Sequence, residues 1–179
     1  TIRFRIAVAD AIRTEEKPLP IAPYLMGYWL GNGSASKPII TVQTCDIAGV
    51  LQRILPRHEV TGGYRNHGDS LRFWVPDLKP VLLKSFHDKV IPTEYLRASY
   101  YQRLELLQGL MDSDGTISER KGQAIYTSTE KALAESVSEL LWSLGIKNAI
   151  TTAESTQRAD WSQKSCECGR VATGETLYY

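Results

Sequence analysis

Apolar residues recur at helical spacing through residues 100–113. Leu104, Leu107 and Met111 fall on one stripe, which predicts a helix from Tyr100 to Ser113. A second apolar run follows Pro23, a residue suited to a first helical position, and predicts a helix over Tyr24–Gly31. Between them the period changes to two. In residues 39–44, Ile40 and Val42 alternate with Thr41 and Gln43, and in residues 70–75, Leu71 and Phe73 alternate with Ser70, Arg72 and Trp74. Both stretches predict strands with the apolar set inward and the polar set, with Trp74, outward. Residues 58–64 form a further strand candidate, joined to the second stretch by the turn-rich residues 65–69. Asp46 is placed to cap a helix carrying Ile47, Val50, Leu51 and Ile54. Leu78, Val81 and Leu82 suggest another helix ending near Phe86.

The second half runs in the same order. Residues 115–129 read as a hairpin turning near Lys121 and Gly122. Thr129 is expected to cap a helix that runs to Leu144 and stops at Gly145. Strands are expected near residues 147–153 and 171–179, with a polar loop between them. Helix, strand pair, helix, twice over, points to a tandem duplication. The repeat is explicit in sequence. Leu25, Gly27 and Gly33 recur as Leu107, Gly109 and Gly115, each 82 positions on. At the position before the last glycine, Asp114 has Asn32 as its counterpart.

Composition narrows the class. The chain has 179 residues, 42% of them hydrophobic, enough for a substantial core, and no apolar run long enough to cross a membrane. The first ten residues hold no signal-peptide core. Three cysteines, Cys45, Cys166 and Cys168, are too few for a disulfide framework, and an intracellular site is expected. Cys166 and Cys168 lack histidines at finger-like spacing and are expected to be free thiols. Net charge is +1, but residues 1–100 carry 13 Lys+Arg against 9 Asp+Glu, and residues 101–179 carry 8 against 11. That mild asymmetry is a weaker basic footprint than most nucleic-acid binders show.

A glycine in mid-helix costs roughly 1 kcal/mol against alanine, so Gly27 and Gly109 need a reason. Close approach of two helix backbones supplies one. If the two helices pair about a pseudo-twofold axis, positions 32 and 114 emerge together at one end. Paired carboxylates there repel unless a cation lies between them, and hard oxygen ligands suit a divalent ion. For a single copy, a helix whose acid merely caps a turn is the plainer explanation; two copies in matching contexts favour a site.

These residues resemble the LAGLIDADG homing endonucleases. Residues 107–115 match the nine-residue motif closely, and residues 25–33 match it except at Asn32. Lys89-Val90-Ile91-Pro92 looks like the lysine block of the intein-encoded branch, and residues 138–146 look like its final block. The resemblance covers about residues 23–150. No nucleophilic Cys or Ser begins the chain and no His-Asn pair ends it, as expected for an endonuclease domain without splicing blocks.

The resemblance implies an α+β fold, a duplicated αββαββα in which two antiparallel sheets form a DNA-binding saddle around a central two-helix interface. It divides the chain into a lead-in, 1–22, a first half, 23–99, and a second half, 100–179. It implies a monomer with internal pseudo-twofold symmetry, natively inserted in a host protein of a bacterial, archaeal or phage-infected cytoplasm. The implied activity is metal-dependent double-strand cleavage of a DNA site across the minor groove, with no membrane partner. Mg²⁺, or another divalent cation such as Mn²⁺ or Ca²⁺, would be held by Asp114 and Asn32 with the backbone at Gly31 and Ser113. Lys89 would serve the chemistry, and Asp112, whose counterpart is Leu30, is expected to be structural. The reading surface would include Lys37, Thr41, Gln43, Arg65, His67, Arg72, Trp74, Arg120, Lys121, Gln123 and Ile125. Asn32 brings no charge, so cleavage is expected to be impaired. A catalytically inactive, sequence-specific DNA-binding domain of the same fold is the alternative, and an insertion with a decayed DNA face is a third.

Overall fold

The computed structural model describes residues 9–65, 69–118, 122–154 and 176–178. Helix α1, Pro23–Asn32, starts on Pro23 without a side-chain cap, and every residue from Pro23 to Leu30 is buried. Strand β1, Ile39–Gln43, follows, then a 3₁₀ turn, Thr44–Asp46, that runs straight into α2, Ile47–Ile54. Asp46 therefore sits in helical conformation and makes no side-chain cap, contrary to expectation. Strands β2, Thr61–Arg65, and β3, Ser70–Trp74, complete an antiparallel sheet ordered β1-β3-β2. A bulge at Gly63 shifts the β2–β3 register, and both Gly62 and Gly63 adopt positive φ, 114° and 96°.

The helix expected to end near Phe86 does not form. Pro76–Val81 is a 3₁₀ segment with Pro80 inside it, and residues 82–85 leave it extended until the short 3₁₀ turn Phe86–Asp88. Pro80 lacks the amide a continuing helix needs. After the one-turn α3, Thr93–Leu96, helix α4, Tyr100–Asp114, opens with a capping box in which Ser99 and Gln102 exchange hydrogen bonds. Its buried face is Arg103, Leu106, Leu107, Gly109 and Leu110, so the predicted stripe is rotated: Leu104 and Met111 lie at its edge.

Strands β4, Gly115–Ser118, and β5, Gln123–Tyr126, form the predicted hairpin, and α5, Lys131–Ser143, packs beside it. Thr129 does not cap α5; Glu130 holds that position, its amide donating to Ser128 Oγ at 3.0 Å. Gly145, at φ 75°, ends α5 as expected, with Gly145 N donating to Trp142 O and Ile146 N to Leu141 O. Strands β6, Thr152–Glu154, and β7, Thr176–Tyr178, pair antiparallel. Among the described residues the second half thus holds two two-stranded ribbons, while the first holds one three-stranded sheet. Position 33, the counterpart of β4's first residue, contributes only a single bridge, Gly33 to Ile40.

Residues 9–22 are docked across the join of the two halves. Ile12 N donates to Ser143 O at 3.0 Å, and the guanidinium of Arg103, only 1% exposed, donates to Ala98 O, Ser143 O and Ile12 O. Thr14 Oγ1 also donates to Ala98 O, and Tyr95 OH both gives to and receives from the Ile21 backbone.

Candidate metal site at the paired helix ends

The helix interface is built on the two mid-helix glycines. A Cβ on Gly27 would lie 2.1 Å from Leu106 O, and one on Gly109 would lie 2.1 Å from Tyr24 O. Tyr24 and Leu106 are themselves 82 residues apart, so one contact occurs twice about a pseudo-twofold axis. Neither helix tolerates a methyl group there. At the C-terminal ends, Gly33 and Gly115 each donate a backbone N–H to the carbonyl four residues back, on Trp29 and Met111. Both glycines are extended, so the need is for space: a Cβ would fall 2.0 Å from the Trp29 ring in one copy and 2.3 Å from Met111 O in the other.

Residues 31–32 and 113–114 meet at this end. A Cβ on Gly31 would lie 2.0 Å from Ser113 Oγ and 2.7 Å from Asp114 Oδ2, so the bare glycine makes room for its partner motif's side chains. Asn32 Nδ2 donates to Ser113 O at 3.2 Å. A backbone carbonyl only accepts, so this bond requires the amide nitrogen at position 32; a carboxylate could not make it. Asp114 is half-buried, and desolvation raises its carboxyl to about 6, with Lys89 offsetting part of the rise.

Lys89 is completely buried rather than an exposed lysine after a helix. Its ammonium group caps α1, donating to Gly33 O at 2.8 Å, Trp29 O at 3.0 Å and Gly31 O at 3.4 Å. It lies 4.5 Å from the centre of the Phe86 ring. Burial lowers its pKa to about 8, against the pull of Asp114. Positive charge at a helix C-terminus complements the carbonyl dipoles.

Two tyrosines, Tyr28 and Tyr126, lie within the field of Asp114, and a third, Tyr24, holds Asp112. Tyr28 OH donates to Thr41 O, and its pKa is raised by burial, an effect that its hydrogen bond with Asn32 opposes. Tyr24 OH donates to Asp112 Oδ2 at 2.7 Å, which ties Asp112 to the opposite helix. Tyr126, on β5 opposite Gly115, has a buried hydroxyl with no hydrogen-bond partner among the described residues; burial and Asp114 both raise its pKa. Sequence reasoning missed Tyr126, whose counterpart under the repeat is Thr44, a residue of a different type.

As a donor set the site fits a hard divalent cation. It offers the Asp114 carboxylate, the Gly31 and Ser113 carbonyls and the amide of Asn32, all oxygen ligands. Among the described residues no group of three or more His, Cys, Asp or Glu forms a protein cage. An ion here would take water or phosphate oxygens as its remaining ligands.

The outward face of the first sheet carries most of the expected reading residues. Thr41 lies opposite Arg72, Ile39 opposite Trp74 and Gln43 opposite Ser70. Arg72, Trp74 and Lys37 are exposed, and Thr41 and Gln43 are half-buried. Ser70, expected to face outward, is buried, and Gln43 Oε1 beside it is buried without a partner among the described residues. Tyr64 was not foreseen: the bulge at Gly63 restores its pairing with Arg72, and it is 77% exposed. In the second half Gln123 is exposed, whereas Ile125 is half-buried and lines a groove of about 870 Å³ between β5, α5 and residues 146–151. The side chain of Arg65, and His67, Arg120, Lys121, Cys166 and Cys168, lie outside the described residues.

Two symmetry-related helices with close-contact glycines and polar residues 32 and 114 at one shared end define a LAGLIDADG-type fold. Comparison with known proteins agrees: residues 102–170 match the LAGLIDADG-like domain family. The chain has the fold of the homing endonuclease I-DmoI, with a TM-score of 0.51 at 15% identity over 89% of this chain and 87% of that one. A structure of I-DmoI in complex with DNA and manganese gives 0.52 at 16% identity, over 89% and 88% of the two chains. At such identities the likeness is one of fold. In sequence, 144 residues are 33% identical to the replicative DNA helicase DnaB of Mycobacterium intracellulare, covering 80% of this chain and 22% of the helicase. A further 62 residues are 39% identical to a DNA polymerase of Thermococcus hydrothermalis, covering 34% of this chain and 3% of the polymerase. The chain thus spans about a fifth of the helicase and a small part of the polymerase.

Proposed function

We propose that this chain is a site-specific DNA endonuclease domain of the intein-encoded type, binding duplex DNA as a monomer and weakened in cleavage by Asn32. The observation that carries the reading is the meeting of Asp114, Asn32 and Lys89 at the shared end of two symmetric helices. The outward row Thr41, Arg72 and Tyr64, with Trp74 and Lys37 nearby, supplies polar, basic and aromatic groups suited to base edges and phosphates. An insertion within a host protein accounts for one segment matching small parts of both a helicase and a polymerase. Such hosts would place the domain inside the cell.

In this reading Asp114 is the main ligand for a divalent cation, Mg²⁺ or Mn²⁺, with Gly31 beside it, and Asn32 with the Ser113 carbonyl forms the weaker half of the site. When bound, the ion would polarise a scissile phosphate and lower the pKa of bound water. Asp114 contributes charge, Asn32 an uncharged oxygen, and Lys89 fixes the end of α1 against Asp114. The test begins with a randomised duplex library, from which a target is selected by binding alone. Retention of a specific duplex, weakening steeply with salt, is expected. Asn32→Asp should then raise magnesium-dependent cleavage of that duplex. Binding without cleavage by either protein would favour the inactive DNA-binding domain, a reading that the Asn32–Ser113 hydrogen bond itself supports.

A further inference from the structure

The pseudo-twofold axis divides the site into two half-sites, and they are not in the same state. One consists of residue 32 against the carbonyl of residue 113; the other consists of residue 114 against residue 31. In the first, the Asn32 amide nitrogen already donates to Ser113 O at 3.2 Å. That N–H group occupies one of the carbonyl's two lone pairs, and the amide brings no negative charge of its own to hold a cation. In the second, the Asp114 carboxylate lies against the bare Cα of Gly31. Here Gly31 O is engaged only at 3.4 Å by Lys89, the longest of that ammonium's three hydrogen bonds. Among the described residues Lys89 has no match on the other side: position 171, its counterpart by the repeat, is a valine in sequence, and Lys147 is exposed.

We propose that the chain holds one divalent cation, at the Asp114–Gly31 half-site, and cuts one strand of its duplex, acting as a strand-specific nickase. The closed half-site is an internal hydrogen bond in place of a second ion, a built-in asymmetry rather than a general loss of the site. The chemistry is hydrolysis of one phosphodiester. Water adds to phosphorus, the P–O3′ bond breaks, and the leaving oxygen takes a proton, giving a 3′-hydroxyl and a 5′-phosphate without any redox partner. The inference rests on the endonuclease reading above.

The experiment uses the full chain and the binding-selected duplex, carried on a supercoiled plasmid with each strand separately labelled. With Mn²⁺ the expected product is open circle, not linear, with the break on one strand only. Free Mn²⁺ followed by its electron paramagnetic resonance signal should show one specific ion in the complex, none with Asp114→Asn and two with Asn32→Asp. The last variant should also convert the product to linear DNA. Linear product from the unaltered chain, two ions bound to it, or bound duplex with neither strand cut would each overturn the nickase. Failure to select any duplex would overturn the DNA reading itself.

Discussion

The two halves of the molecule agree at the helix interface and differ at the helix ends. Gly27 meets Leu106 O as Gly109 meets Tyr24 O, to the same distance. A few residues on, Gly31 faces Ser113, an amide stands where the other half has a carboxylate, and one helix end is capped by a buried lysine that the described part of the other half does not match. Backbone packing at a twofold axis constrains both partners equally, because either side chain would force the helices apart. At the polar end the close contact is between unlike residues, Gly31 against Ser113 and Asp114, so the two halves need not match there.

That contrast is open to measurement. The largest effects should come from the interface, where Gly27→Ala and Gly109→Ala each destabilise by about 3 kcal/mol or more in urea unfolding, despite alanine's better helix propensity. The two values should agree closely; a cheap change at one glycine would break the symmetry claimed for this interface.

At the ends, Lys89→Ala should cost about 2–4 kcal/mol, since it opens a cavity and leaves buried carbonyls unsatisfied. Lys147→Ala, at the exposed lysine of the other half, should stay within about 0.5 kcal/mol.

Asp114 comes next. Its carboxyl pKa is raised from 3.8 to about 6, so between those values the folded protein holds the proton more tightly than the unfolded chain. Metal-free stability from this group is therefore fully present below about pH 4 and lost as pH rises through about 6. Asp114→Asn, which never ionises, should flatten that part of the curve and gain about 1–2 kcal/mol at pH 7.5, allowing for partial exposure. Asn32→Asp should do the reverse, adding a second repelling carboxylate.

The smallest effect concerns Tyr126. Its hydroxyl is unpartnered among the described residues, so Tyr126→Phe should leave thermal stability unchanged or raise it slightly. Its counterpart Thr44 donates to Asp69 O at 2.7 Å, so Thr44→Val should cost about 1 kcal/mol.

The interface was legible in the sequence because a mid-helix glycine is expensive and two of them at one repeat distance demand a shared cause. The four-block order made the fold legible as well. The burial of Lys89 was not, since a lysine's long apolar stem permits burial or exposure and only three converging carbonyls decide between them. Nor was the outward row of the first sheet complete. Alternation alone put Ser70 outside and missed Tyr64, because the bulge at Gly63 moves one strand's register by a residue. Helix starts misled for a related reason: Asp46 and Thr129 have suitable side chains, but the chain is already helical at the first and passes the cap position on to Glu130 at the second.

The all-round burial of α1 has a consequence for how the chain is made. Eight of its ten residues are buried, and the surface that covers much of it belongs to α4, which leaves the ribosome about 80 residues later. Residues 9–22 wait longer still, for Ala98, Arg103 and Ser143. During synthesis the first helix must therefore persist as a sticky, uncovered segment until the second half emerges. Long-range closure of this kind slows folding and exposes nascent chains to aggregation. The same symmetric seam that closes the finished core makes the growing chain dependent on shelter, a need that a chaperone would meet.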